Sequence, residues 1–373
     1  MSGLPRVVVL RGHSANIAEL RPWERLLDRF DVRVVTTSRA DQPIEGLGVP
    51  WQVARSRRAL LPPGRLGTLG VAAVGDGYRG LERLLEGAAI VHTAELGPWF
   101  AAQPARLKRQ HGFRLVVTVW ETIPFRGAFR TARARAHSEL VLREADLFLP
   151  ATDRARRCLL LEGASDERIV VSPPGIDLAR FRSARERGSG DTGGSHLVVS
   201  PGRLVWEKGH YDVLRAVAAV GGAARLLIVG AGPERDRMLR YAGELGIGER
   251  VEIRSVAYDE MPEVFARASC VVLGSLPIRS WEEQFGLVLP EAMAAEAPIL
   301  ASASGAIPEV LAGSGATLFA PGDWIGLARL LAAGPLAAPP GTRVSYPVEL
   351  LERYSAAAAA QRLAAAYARV LAE

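Results

Sequence analysis

Lysine is nearly missing from this 373-residue chain: of 46 basic residues only Lys108 and Lys208 are lysines, and the rest are arginines. Cysteine is as scarce. Cys158 and Cys270 stand far apart without metal-ligand spacing, which excludes a disulfide scaffold and fits a reducing compartment. No apolar run approaches the ~18 residues that a membrane-spanning helix needs. Met1–Leu10 reads as a short strand and not as a signal peptide. No G-x-G-x-x-G follows the first strand of either half, which argues against a plain dinucleotide-binding dehydrogenase. Disorder is excluded for most of the chain, because 49% of residues are apolar and 23% charged, the proportions of a globular protein.

The charge that is present is uneven. Residues 1–180 hold 27 basic against 19 acidic side chains, whereas the remainder holds 19 against 21. A basic first half suits an anionic membrane surface or a phosphate-bearing substrate, and it equally suits a solvated arginine face.

At this length two domains are expected. Short, nearly continuous β-branched runs alternate with helix-length segments, the pattern of strands buried on both faces of a parallel sheet. Strands are expected at Arg6–Leu10, Val32–Thr36, Ala89–Thr93, Leu115–Val119 and Leu147–Pro150. A polar, glycine-rich stretch then interrupts the pattern. After it the alternation resumes with strands at His196–Ser200, Leu226–Val229, Val251–Ile253, Cys270–Leu273, Ile299–Ala301 and Thr317–Phe319. The reading is α/β, with two doubly wound Rossmann-like domains facing a central cleft. Residues 1–181 form the first domain, 182–195 a flexible linker and 196–346 the second domain. Residues 347–373 form a C-terminal helical segment that is a candidate for returning to the first domain.

Two motifs in the second half carry chemistry. The first is Pro201-Gly-Arg-Leu-Val-Trp-Glu-Lys-Gly, directly after a strand. Arg203 offers a planar fork and Lys208 a point charge, a combination suited to a diphosphate. In so arginine-rich a chain Arg203 alone says little, but Lys208 stands out. The second is Trp281-Glu-Glu-Gln-Phe-Gly-Leu-Val-Leu-Pro-Glu, running from a loop into a helix. Glu283 falls in the loop and Glu291 in the first turns. A helix start offers unpaired N–H groups for an anion, while carboxylates accept hydrogen bonds from sugar hydroxyls. Acids also favour a helix N-terminus for its own sake.

Taken in order, Gly202-Arg203…Lys208-Gly209 and Glu283…Glu291 resemble the GR-x₄-KG loop and E-x₇-E motif of retaining glycosyltransferases of the GT-B fold, family 4. Val229-Gly-Ala-Gly-Pro-Glu and Ser304-Gly-Ala-Ile-Pro-Glu-Val resemble that family's neighbouring loops. The likeness is strong over roughly residues 196–320 and architectural over 1–180. It implies an enzyme that moves a sugar from a nucleotide-diphosphate donor, UDP- or GDP-linked, to an acceptor hydroxyl with retention of anomeric configuration. No separate cofactor is implied. By the same resemblance Arg203 and Lys208 bind the diphosphate and neutralise the leaving group, and Glu283 contacts the transferred sugar. Glu291 accepts from the ribose hydroxyls, and the backbone of Phe285, Gly286 and Leu287 approaches sugar and phosphate. Gly12, after the first strand, approaches the diphosphate from the first domain. No Asp-x-Asp occurs, so metal-independent catalysis is expected.

The chain also departs from the family. Trp120 stands where members often carry histidine, in Val116-Val-Thr-Val-Trp-Glu, and Glu121 follows it as a candidate replacement. His13 and Glu95 are further candidates on the acceptor side. The acceptor is expected to be a glycan, a lipid-linked or a small molecule held by the first domain. Two basic, partly apolar runs, Arg55–Pro63 and Phe125–Arg135, are candidates for peripheral contact with an anionic membrane, or else solvated surface. Nucleic acid is not expected, since no binding motif is present. A cytoplasmic location is expected, with the inner face of the membrane as its peripheral variant. Two alternatives stay open: a nucleotide-sugar-binding protein with impaired catalysis, and an epimerase or phosphorylase on the same fold.

Overall fold

The computed structural model describes residues 3–37, 44–61, 66, 70–71, 74–126, 131–187, 194–222 and 224–373. The chain forms two compact units: residues 1–176 with 356–373, and residues 177–355.

The sheet of the first unit contains β1 (Arg6–Gly12), β2 (Asp31–Thr37), β3 (Trp51–Ala54), β4 (Ala88–Ala94), β5 (Arg114–Val119) and β6 (Leu147–Pro150). All are parallel, in the order β3-β2-β1-β4-β5-β6. Alternate side chains of a strand face opposite sides. In β1, Val7 and Val9 enter one apolar cluster with Trp23, Ile90 and Tyr367, while Val8 and Leu10 enter another with Phe100, Leu115 and Phe148. Each face must therefore be covered, and the sequence run has to be continuously apolar.

The second unit repeats the design with β7 (Leu197–Pro201), β8 (Arg225–Val229), β9 (Val251–Arg254), β10 (Cys270–Leu273), β11 (Ile299–Ser302) and β12 (Thr317–Phe319). Their order is β12-β11-β10-β7-β8-β9, again parallel. Strand order reverses between β1 and β4 in the first unit and between β7 and β10 in the second. Such switch points open a crevice at the carboxyl ends of the strands, where ligands of doubly wound sheets bind.

Two expectations need correction. The stretch 182–195 is not wholly a linker: Leu178–Arg187 is a helix of the second unit. Phe181 and Ala184 are fully buried there, and the Phe181 ring stacks on Phe265 at 6.0 Å. The polar residues between these apolar positions concealed the pattern. Residues 188–193 lie outside the described residues. Residues 347–373 are two helices, Val348–Arg353 in the second unit and Ala356–Ala372 in the first. After β1 the first unit has a short helix, Ile17–Leu20, followed by a 3₁₀ turn, Arg21–Leu26, with Pro22 near its start.

The final helix is tied into the first unit by a buried polar chain. Trp23 Nε1 donates to Tyr367 Oη (2.8 Å), and Tyr367 Oη lies 2.6 Å from His92 Nδ1. The tyrosine proton goes to His92 Nδ1, so Nε2 carries the ring's hydrogen and donates to Thr118 Oγ1 (2.7 Å). Burial holds His92 well below the ordinary imidazole pKa, so the ring is neutral. Among the described residues no helix is long and apolar enough to cross a membrane.

Candidate functional site

At the switch point of the second unit, loops after β7, β8, β10 and β11 meet through their backbones. Gly202 N donates to Val229 O (2.9 Å), Leu204 N to Ala231 O (2.9 Å), and Ala306 N to Glu283 O (2.8 Å). Gly209 shows why the motif needs glycine. Its φ is +68°, and a Cβ there would stand 1.9 Å from Gly274 O, so no other residue fits without moving the loop after β10.

This approach brings Lys208 to Glu283. Lys208 Nζ lies 2.8 Å from Glu283 Oε2, with side chains only 14% and 8% exposed. The same carboxylate oxygen accepts from Ser275 Oγ (2.6 Å), and Ser302 Oγ donates to Ser275 O (2.6 Å). The ammonium also stands 4.8 Å from the centre of the Trp281 ring, whose face attracts a cation. Two contacts thus fix the ammonium in place, and Ser275 holds its carboxylate partner. Arg203 differs: its side chain is 63% exposed, and its ion-pair contact with Glu207 is long, at 3.9 Å. Its backbone is held from behind by His210, which is fully buried. His210 Nε2 donates to Arg203 O (3.1 Å) and Nδ1 accepts from Ser200 Oγ (2.8 Å). Burial lowers the His210 pKa to about 4, so it serves as a neutral strut.

Glu291 sits in the helix Val288–Ala294 and is 3% exposed. Burial pushes its pKa up to about 8 against a hydrogen bond from Tyr258 and the attraction of Arg180. Arg180 holds Tyr258 in turn, with its guanidinium 4.9 Å from the ring centre and Nη2 2.8 Å from Asp259 Oδ1. The Phe285 ring is buried edge-on against Tyr354 (5.5 Å), and Gly286 has φ +78°. Those anchors and Leu287 position the backbone that leads into the Glu291 helix.

The first-unit candidates divide. Gly12 ends β1 at the switch point, its N–H donating to Tyr78 Oη (2.7 Å). The bare Cα is used by the protein itself, since a Cβ would fall 2.3 Å from the Phe100 ring. His13 is exposed, edge-on to Phe100 at 5.9 Å. Glu95 follows β4 in a left-handed conformation (φ +63°), and its Oε1 accepts from Trp120 N (2.9 Å). Glu121 caps its own loop: Oε1 accepts from Thr122 N (3.2 Å) and Ile123 N (3.1 Å), while Oε2 pairs with Arg126. This carboxylate is occupied in shaping the turn. Trp120 is half-buried beside Trp23, Pro173 and Leu363.

Ser275, Tyr258, Arg180 and His210 escape sequence reasoning. Each is a common residue whose part depends on a partner far along the chain, and only His210, next to Gly209, adjoins a motif. Among the described residues no group of three or more His, Cys, Asp or Glu is placed to hold a metal ion.

Comparison with known proteins bears on this geometry. The family described as "Glycosyl transferases group 1" matches residues 183–333, and "Glycosyl transferase 4-like domain" matches residues 19–175. The D-inositol 3-phosphate glycosyltransferase of Mycobacterium tuberculosis H37Rv is 34% identical over 180 residues, 45% of this chain and 36% of the relative. The match therefore spans about a third of that relative's length. Among solved structures, Anabaena Alr3699/HepE in complex with UDP superposes with a TM-score of 0.78 at 18% identity, covering 98% of this chain and 100% of that one. Its complex with UDP-glucose gives 0.74 at 19% identity over 98% and 99%. At such identity these structures speak for the fold, the two-domain Rossmann-like arrangement called GT-B.

Proposed function

The chain belongs to the group 1, family 4 glycosyltransferases, and from that premise we propose that it transfers a sugar from a nucleoside-diphosphate donor to an acceptor hydroxyl with retained anomeric configuration. The observation that carries the proposal is the Lys208 ammonium, fixed by Glu283 and Trp281 at the switch point beside the exposed fork of Arg203. Cleaving the anomeric C–O bond leaves negative charge on the diphosphate, and positive charge already in place where it develops is the largest catalytic term available. Lys208 and Arg203 supply that charge. Glu283, bonded to Lys208 and Ser275, receives hydroxyls of the transferred sugar and so registers sugar and diphosphate together. Glu291 receives the ribose, and the backbone at Phe285, Gly286 and Leu287 lies along the sugar and phosphate. Attack comes from the face of the departing diphosphate, which takes the acceptor proton. The UDP complexes of structural neighbours favour a UDP-sugar over a GDP-sugar. The first unit holds the acceptor, with His13, Glu95 and Trp120 as the residues that contact it.

The test uses Arg203→Ala, because an exposed side chain can be removed without disturbing packing, together with Lys208→Met. Each lowers turnover with a UDP-sugar by roughly 10²–10³-fold. Near-normal rates in either, or an inverted product by NMR, refute the reading. Activity that dies with chelator and returns with Mg²⁺ refutes the assignment of leaving-group charge to these two side chains alone.

A further inference from the structure

The two basic runs of the first half have no part in the donor site, yet the fold brings them together. Arg58 from one and Arg133 from the other line a single cavity of about 530 Å³ in the first unit, with His13, Asp76, Thr131 and His137 also in its wall. That volume is typical of a small-molecule site. Arg133 Nη1 donates to Val71 O (3.3 Å), which holds the guanidinium at the wall. Asp76 is the one acid lining the cavity among the described residues, and its Oδ1 already accepts from Arg58 N (3.0 Å) and Gly77 N (2.8 Å). Two thirteen-residue helices, Trp99–His111 and Ala132–Glu144, begin at this wall, and neither has an acid in its first turn. Helix starts carry partial positive charge and favour an anion. His137 is 7% exposed, with Nδ1–H donating to Gly97 O (3.1 Å). Burial, with Arg106 and Arg133 nearby, lowers its pKa, so the ring is neutral and Nε2 is its remaining acceptor.

We propose that this cavity binds the acceptor, a hydroxylated small molecule bearing a phosphate monoester, with Arg58, Arg133 and the two helix starts holding the phosphate and His137 Nε2 accepting from a hydroxyl. Calling the ligand an acceptor rests on the transfer reading above; the phosphate site does not. Two arginines lining one concavity, rather than spread over a face, favour a discrete phosphate over a membrane surface.

The test is calorimetry on the full chain without donor, using glycerol 3-phosphate, glycerol and inorganic phosphate. Glycerol 3-phosphate binds and glycerol does not. Arg58→Gln and Arg133→Gln each weaken binding roughly tenfold to a hundredfold, the usual loss of a charge-assisted hydrogen bond. Arg235→Gln, an exposed residue of the second unit, changes nothing. His137→Leu weakens glycerol 3-phosphate but not inorganic phosphate; equal weakening of both overturns its assignment to a hydroxyl. Absence of binding to wild type, or equal binding by the Arg58 and Arg133 variants, overturns the proposal. So does sedimentation with 30% phosphatidylglycerol vesicles that both variants lose while soluble phosphates do not bind, which reassigns the arginines to a membrane. UDP titrations separate the two readings. Wild type that binds glycerol 3-phosphate but neither UDP nor GDP sinks the transfer reading and leaves the cavity standing, and the reverse sinks only the cavity.

Discussion

Replacing Glu291 with glutamine should make the second unit less sensitive to alkaline pH. Glu291 is 3% exposed, and its folded pKa is about 8 against an ordinary 4.5. A carboxyl whose pKa is raised by folding stabilises the folded state fully below 4.5, and this advantage is lost as pH rises through 8. At about 1.4 kcal/mol for each tenfold in proton concentration, the whole interval is worth about 5 kcal/mol, and the part between pH 5 and pH 8 about 3–4 kcal/mol. Glutamine has the shape of the neutral acid and still accepts from Tyr258, so it keeps the contact without the titration. His210 acts in the opposite sense, because its pKa is lowered to about 4 and its penalty disappears above pH 6.5. Both proteins carry His210, so their difference isolates Glu291. Calorimetric melting from pH 5 to 8.5 should show the wild-type transition of the second unit falling behind that of E291Q by on the order of 10 °C. Parallel curves would mean that Glu291 ionises in the folded protein near its ordinary pKa, and the account of its buried, neutral state would be wrong.

Two further substitutions probe the scaffold. Tyr367→Phe leaves Trp23 Nε1 and His92 Nδ1 buried without their shared partner and should destabilise the first unit by about 1–3 kcal/mol, read as a lower melting temperature with UDP affinity unchanged. Gly209→Ala places a methyl 1.9 Å from Gly274 O and should weaken UDP binding far more than it lowers overall helicity, measured by calorimetry and circular dichroism.

Much of the fold is legible in the residues because its strands are buried on both faces. The runs at Val7–Leu10 and Val198–Pro201 can hardly be anything else. β3 escaped because it is an edge strand with Trp51, Gln52 and Val53 exposed, so nothing forces an apolar run. The helix Leu178–Arg187 escaped because the second unit buries only a few of its side chains, and the intervening arginines read as solvent-facing. Lys208 and Glu283 are legible as members of a spaced motif. Their direct contact is not, since it depends on how closely the loop after β7 approaches the one after β10. Arg58 and Arg133 show the opposite limit. In a chain with 44 arginines no single one is informative, and only folding shows which two share a cavity.

The helix Ala356–Ala372 belongs to the first unit although the chain reaches it only after the whole second unit. A ribosome therefore releases residues 177–355 as a continuous segment able to collapse at once, while the earlier-made half still lacks the Tyr367 that seals Trp23 and His92. That half can finish only once residues 356–372 have been made. Any product truncated before residue 356 leaves an apolar groove uncovered on its oldest part, and quality-control proteases and chaperones would meet it there first.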